Sequence, residues 1–272
     1  MAATMWQLFV LLLAAAGKAV EIIDGDAFGG SPLPGEEASP GQFPYQVGIW
    51  ASQDGITSQL LCSGAVLTKH VIITSAHCAQ SGRFFNIVFG TNNITGPAAV
   101  SKKTSTKLIH EKYVNDRAHD IALLYIKDGL PYFLKNIQPV KLPSGEQAQK
   151  SFWKSEVTTS GWGVLNPGDR DYSPVLRFVK SKVVHNLYCS LRYYFQRVYK
   201  TNICVKSVKM CQGDSGNPLV VYDDESVPTL VGIASFGVSQ SCETSKPAKF
   251  TRVTSYLKWI EDSIKKLEKT AS

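Results

Sequence analysis

Beyond its first residues the chain has no apolar run long enough to cross a bilayer. A span needs roughly 20 predominantly apolar residues. Here Leu8-Phe9-Val10-Leu11-Leu12-Leu13 forms the centre of a shorter stretch that ends in the small residues Ala14, Ala15, Ala16, Gly17 and Ala19. That pattern predicts a secretory leader over residues 1–19, although its start lacks the usual positive charge. A Cys-x-x-Cys pair is missing too, which argues against a structural zinc site. The six cysteines of an exported chain then read as disulfides, with a pairing that the sequence by itself leaves open. No internal repeat suggests a solenoid or an array. Carboxylates are outnumbered, 22 Asp and Glu against 29 Lys and Arg, for a formal charge of +7. The lysines are nevertheless scattered. Their one modest cluster, Lys258, Lys265, Lys266 and Lys269, fits the solvated side of a helix, so nucleic acid is not an expected partner.

What is present is a succession of short β-branched or aromatic runs punctuated by Gly, Pro, Asn and Asp. They include Tyr45 to Trp50, Ala65 to Leu67, Val71 to Thr74, Phe85 to Phe89, Ile121 to Ile126 and Leu230 to Phe236. The fold class is therefore all-β with many hairpins. Only the end of the chain has clear helical periodicity, with Tyr256, Leu257, Ile260, Ile264 and Leu267 on one face. At 272 residues the chain exceeds the usual domain of about 150, but β-barrel proteins often run to about 200–250 residues as one unit.

The chemistry centres on Met210-Cys211-Gln212-Gly213-Asp214-Ser215-Gly216-Asn217-Pro218-Leu219, which sets one serine among glycines, beside a carboxylate and near a half-cystine. A serine hydroxyl is a weak nucleophile near neutral pH, so it needs a base within reach and donors aimed at the oxyanion that develops on the substrate. The Gly-x-Ser-x-Gly elbow is not met. Candidate partners lie upstream: His77 in Thr74-Ser75-Ala76-His77-Cys78, and Asp120 opening the run Asp120-Ile121-Ala122-Leu123-Leu124. His70, His110, His119 and His185 sit in no comparable motif and read as surface or structural residues.

With Ser160-Gly161-Trp162-Gly163 between them, these segments run in the order His, Asp, Ser. From about Gly35 to Ile264 the chain closely resembles the chymotrypsin/trypsin family of secreted serine peptidases. The resemblance implies two packed six-stranded Greek-key β-barrels with a C-terminal α-helix, the first barrel carrying His77 and Asp120 and the second Ser215. It implies disulfides Cys62–Cys78, Cys189–Cys204 and Cys211–Cys242. It also implies a catalytic triad of His77, Asp120 and Ser215, with an oxyanion hole made by the backbone N–H groups of Gly213 and Ser215. The substrate pocket is expected from Lys209, Ser235, Gly237 and Ala248, and the activation ion pair from Asp214. The calcium loop of trypsin-like relatives needs clustered carboxylates, and Thr91 to Lys107 contains none, so neither metal nor cofactor is expected. The domain organisation is a leader over 1–19, a short pro-segment over 20–31 and a peptidase domain over 32–272.

Two departures from the family pattern bear on activity. Lys209 stands where trypsin-like enzymes carry an acid and chymotrypsin-like ones a small polar residue, which argues against cleavage after Lys or Arg. At the activation site, Pro32-Leu33-Pro34-Gly35 precedes Glu37-Ala38-Ser39-Pro40-Gly41-Gln42-Phe43-Pro44-Tyr45 without a basic cleavage residue, and Ile22-Ile23-Asp24-Gly25 follows Glu21. The expectation is a secreted, monomeric serine endopeptidase of chymotrypsin-like specificity, acting on proteins or peptides and open to protein protease inhibitors. The alternative is a non-enzymatic homologue that uses the scaffold to bind a partner. Asn93-Ile94-Thr95 is a candidate glycosylation sequon.

Overall fold

The structure, a computed structural model, describes residues 35–57, 60–96, 100–114, 118–131, 134–166, 168–194, 198–206, 208–236 and 246–271. The expected leader and pro-segment, Gly237 and Cys242 lie outside the described residues.

Two antiparallel sheets account for most of the chain. The first is built from β2 (Gln46–Ser52), β3 (Leu60–Val66), β4 (Val71–Thr74), β5 (Phe84–Phe89), β6 (Val100–Thr104), β7 (Lys107–Ile109) and β8 (Ala122–Tyr125), in the order β6-β5-β2-β3-β4-β8-β7. Its strands number seven because the chain divides into β6 and β7 around Ser105 and Thr106. Thr104 Oγ1 donates to the Tyr125 carbonyl at 2.6 Å, so the end of edge strand β6 still touches β8. The second sheet contains β9 (Glu156–Gly161), β10 (Arg177–Val184), β11 (Asn202–Val205), β12 (Pro218–Tyr222), β13 (Pro228–Phe236) and β14 (Ala248–Arg252). These six close into a ring, β10-β11-β14-β13-β12-β9 and back to β10, with the short β1 (Glu36–Glu37) added at β10. The run expected as strand at Val71 to Thr74 matches β4 residue for residue, and β4 and β8 are buried throughout, as continuous apolar runs require.

The main core fills the space between the sheets. Leu61, Ile73, Leu123 and Tyr45 of the first half meet Val220, Leu230 and Ile233 of the second, with Trp162 fully buried. The terminal helix, α3 (Leu257–Ala271), docks Ile260 and Leu267 into this core from just after the buried Tyr256. Its outer face carries the pairs Lys258–Asp262 and Lys265–Glu261, the solvated face that its periodicity implies. Two further short helices, α1 (Ala76–Ser81) and α2 (Asn186–Arg192), were not legible as helices. They have six and seven residues, too few to display a periodic face, and each is stapled by a disulfide, Cys62–Cys78 and Cys189–Cys204. Cys211 is also disulfide-bonded. Among the described residues no helix is long and apolar enough to cross a membrane.

Candidate active site

His77 sits in the first turn of α1, directly beside Cys78, so the Cys62–Cys78 bond fixes that turn to β3. The imidazole Nδ1 lies 2.8 Å from Asp120 Oδ2, while the His77 backbone N–H donates to Asp120 Oδ1 at 2.9 Å. The carboxylate thus grips the helix turn and the ring together, which sets the ring orientation. With an ionised acceptor at Nδ1, that nitrogen carries the proton and Nε2 is left to act as a base. A third donor comes from the opposite sheet. Ser235 Oγ, on β13, donates to Asp120 Oδ2 at 2.6 Å, and Thr251 Oγ1, on β14, donates to the Asp120 carbonyl at 2.8 Å. Burial disfavours the charge on Asp120, which is 2% exposed, but the His77 imidazole, the Ser235 hydroxyl and the His77 N–H hold its carboxyl below the ordinary carboxylate range.

Ser235 was expected in the substrate pocket, and its hydroxyl donates to Asp120. Nothing in sequence could show this, since the bond joins residues 115 positions apart across the two sheets. The same β13 segment ties in the serine turn. The Gly216 N–H donates to Ala234 O at 3.0 Å and the Ala234 N–H to Asn217 O at 2.9 Å, so consecutive residues of one strand hold Asp120 and the turn that carries Ser215. The first sheet supplies a second tie. Ser63 N–H donates to Ser215 O at 2.7 Å, and Ser63 follows Cys62, whose disulfide reaches the residue after His77. Ser215 and the Asp120–His77 pair are thereby linked through neighbouring residues of β3 and β13. Ser215 Oγ itself makes no hydrogen bond among the described residues.

Two glycines make this turn possible. Gly216 has φ +83°, and a Cβ there would meet Ser63 O at 2.1 Å and Thr74 Oγ1 at 2.5 Å. Gly213 has φ +96°, and a Cβ would crowd the Tyr172 ring at 2.8 Å. Both conformations suit glycine and strain other residues. In the turn they create, the N–H groups of Gly213 and Ser215 donate to no acceptor among the described residues.

Asp214 points away from this face. It retains some exposed surface as a residue, but its carboxylate is enclosed and accepts from Cys211 N–H at 2.8 Å, Gly163 N–H at 3.1 Å and Asn217 Nδ2 at 3.0 Å. Burial pushes it up to about 6, against the pull of those donors and of the Lys209 charge. Lys209 lies along the same cavity of about 50 Å³ as Asp214, and its Nζ donates to Leu165 O. Ala248 is buried at the start of β14, and Met210 is buried beside Lys209. Among the described residues no group of three or more His, Cys, Asp or Glu could hold a metal ion. His110 and His119 stack at 4.7 Å under α3, with Tyr256 OH 3.1 Å from His119 Nδ1, a packing role rather than a chemical one. Asn93 is exposed while the central Ile94 of its sequon is buried, and Asn93 Oδ1 accepts from Thr95 and Gly96 N–H.

Known proteins resemble this chain over most of its length. The sequence pattern of the family described as Trypsin matches residues 33–260. A collagenase from Hypoderma lineatum is 32% identical over 86% of this chain and 87% of its own length. A chymotrypsin from Phaedon cochleariae is 33% identical over 84% and 80%, respectively. Among solved structures, HL collagenase superposes with a TM-score of 0.75 at 29% identity, covering 85% of this chain and 98% of that one.

Proposed function

Because the chain belongs to the trypsin family of serine peptidases, we propose that it is a secreted serine endopeptidase in which Ser215 is the nucleophile, with chymotrypsin-like rather than trypsin-like specificity. The observation that carries the reading is the Asp120–His77 pair, bonded twice through one carboxylate, beside the turn in which Ser215 is tied from both sheets. Ser215 Oγ attacks the substrate carbonyl as His77 Nε2 takes its proton, and the carbonyl oxygen becomes an oxyanion. The uncommitted N–H groups of Gly213 and Ser215 receive that oxyanion, each such donor contributing a factor of about 10²–10³ in rate. His77 then passes the proton to the leaving amine, giving an acyl-enzyme, and the same steps with water release the acid. Asp120 keeps Nδ1 protonated throughout and stabilises the imidazolium.

Specificity follows from what lies before the serine turn. The stretch Val208 to Cys211 holds buried apolar Val208 and Met210 and no carboxylate, while the Lys209 ammonium is occupied with Leu165 O. Nothing there pairs with a basic substrate side chain, and an apolar one is favoured. The test is hydrolysis by the secreted protein of matched peptides that differ only in the residue before the scissile bond. Phe, Tyr or Leu should give the higher kcat/KM, with all activity lost in Ser215→Ala. Efficient cleavage after Arg overturns the specificity, and activity that survives Ser215→Ala overturns the mechanism.

A further inference from the structure

We propose that Asn217 is a positioning residue that holds the Asp214 carboxylate, so that the serine turn takes its reactive shape while the amino terminus is still uncut. The inference rests on the peptidase reading above and adds a mode of regulation to it. An enclosed carboxylate needs donors wherever it sits, and without them the turn would rearrange to expose it. Here all three donors to Asp214 come from the described chain itself: two backbone N–H groups and the Asn217 amide.

Asn217 is built for this task. It is 2% exposed, and its backbone is fixed at both ends, its N–H donating to Asp214 O at 3.1 Å and its carbonyl accepting from Ala234 N–H at 2.9 Å. A carboxylate accepts only, so the amide must turn Nδ2 toward Asp214. Its Oδ1 is thereby left buried without a partner among the described residues, a cost tolerated to keep the donor in place. The opposite wall is shaped to this pair. A Cβ on Gly161 would lie 2.1 Å from Asn217 Nδ2, and one on Gly163 would lie 2.4 Å from the Asp214 carboxylate. The Ser160-Gly161-Trp162-Gly163 segment is thus the mould for Asn217 and Asp214 together. Lys209, on the wall of the same cavity, adds a positive field that lowers the cost of the charge. The sequence is consistent with this arrangement, since no basic residue precedes Pro32-Leu33-Pro34-Gly35 for a trypsin-like activator to cut after.

The experiment compares two forms of the full-length secreted chain. One is extended by an affinity tag before Val20 and shown intact by mass; the other is cut just before Pro32. Both are reacted with a fluorophosphonate probe. The uncut form should label Ser215 at a rate within about tenfold of the cut form. Losing a hydrogen bond to a charged group is worth about 10- to 100-fold, so Asn217→Ala should slow labelling of the uncut form by about that factor. The cut form, whose new amine can serve the same carboxylate, should slow only a few-fold. Asn217→Asp keeps the shape and replaces the donor with an acceptor, so it should be at least as impaired when uncut, and it is the variant to read if the alanine form is not secreted. Labelling confined to cut protein overturns the inference and leaves the peptidase reading intact. An equal loss in both forms, or an Asp variant that labels like the parent, also overturns it. No labelling in any form overturns the peptidase reading itself.

Discussion

Asp120 and Asp214 are two enclosed carboxylates, and their environments push them in opposite directions. Burial works against the charge on both. Asp120 meets an imidazole that can carry the compensating charge, together with the Ser235 hydroxyl, and its carboxyl falls below the ordinary range. Asp214 has two backbone N–H groups and a neutral amide, with Lys209 only in its field, and it rises to about 6. Hydrogen bonds alone therefore do not offset desolvation here, whereas a hydrogen-bonded ionisable partner does. The contrast separates the two proposed jobs: Asp120 would serve proton transfer at His77, and Asp214 would shape the turn that carries Ser215.

The comparison can be broken most forcefully at Asp120. Asp120→Asn leaves the volume unchanged but can present a donor to Nδ1, which favours the wrong imidazole tautomer. Steady-state hydrolysis should show kcat lowered about 10⁴-fold in a folded protein. A loss of less than tenfold would mean that His77 does not depend on Asp120. Ser235→Ala removes one donor to a charged group, and a drop in kcat of about tenfold is expected. The acid limb of the stability profile should also move upward, because Asp120 would ionise less readily. An unchanged profile would show the Ser235 contact to be incidental.

Acid titration sharpens the contrast further. Asp120 has a depressed folded-state value, so the stability it contributes is present above its unfolded value and disappears as pH falls through the folded one. Asp214 is raised, so between its unfolded value of 3.8 and about 6 the folded state binds the extra proton, and its contribution to stability declines as pH rises through that window. Thermal unfolding of Asp214→Asn should lack that decline, and the difference from the parent should grow from pH 4 to pH 6. A difference that shrinks would contradict the raised value. The smallest effect is expected far from the site. Breaking the exposed Lys258–Asp262 pair with Lys258→Ala should change stability by no more than about 0.5 kcal/mol.

Sequence named the candidate reacting residues and the fold class more fully than the fold's local details. His77, Asp120 and Ser215 could be named because each stands in a short motif beside a cysteine, a glycine or an apolar strand. Strands such as β4 were visible as unbroken apolar runs. Helix α1, which carries His77, was not, because its six residues span under two turns and are too few to show a periodic face. The bond between Ser235 and Asp120 was not legible for a related reason. These two residues, 115 positions apart, meet only through the packing of the two sheets, and a single sequence holds no trace of such a contact. Lys209 was read by counting back from Cys211, which gives a position along the chain but not the direction of a long side chain.

The central claim is that Ser215 is a nucleophile served by the Asp120–His77 pair. The most direct measurement is fluorophosphonate labelling of the secreted protein, with the adduct mapped by peptide mass spectrometry, in the parent and in Ser215→Ala and His77→Ala. A single adduct on Ser215 is predicted, absent from Ser215→Ala and slowed by at least about 10³-fold in His77→Ala. An adduct on another residue, equal labelling of His77→Ala, or no adduct in any processed form would contradict the account.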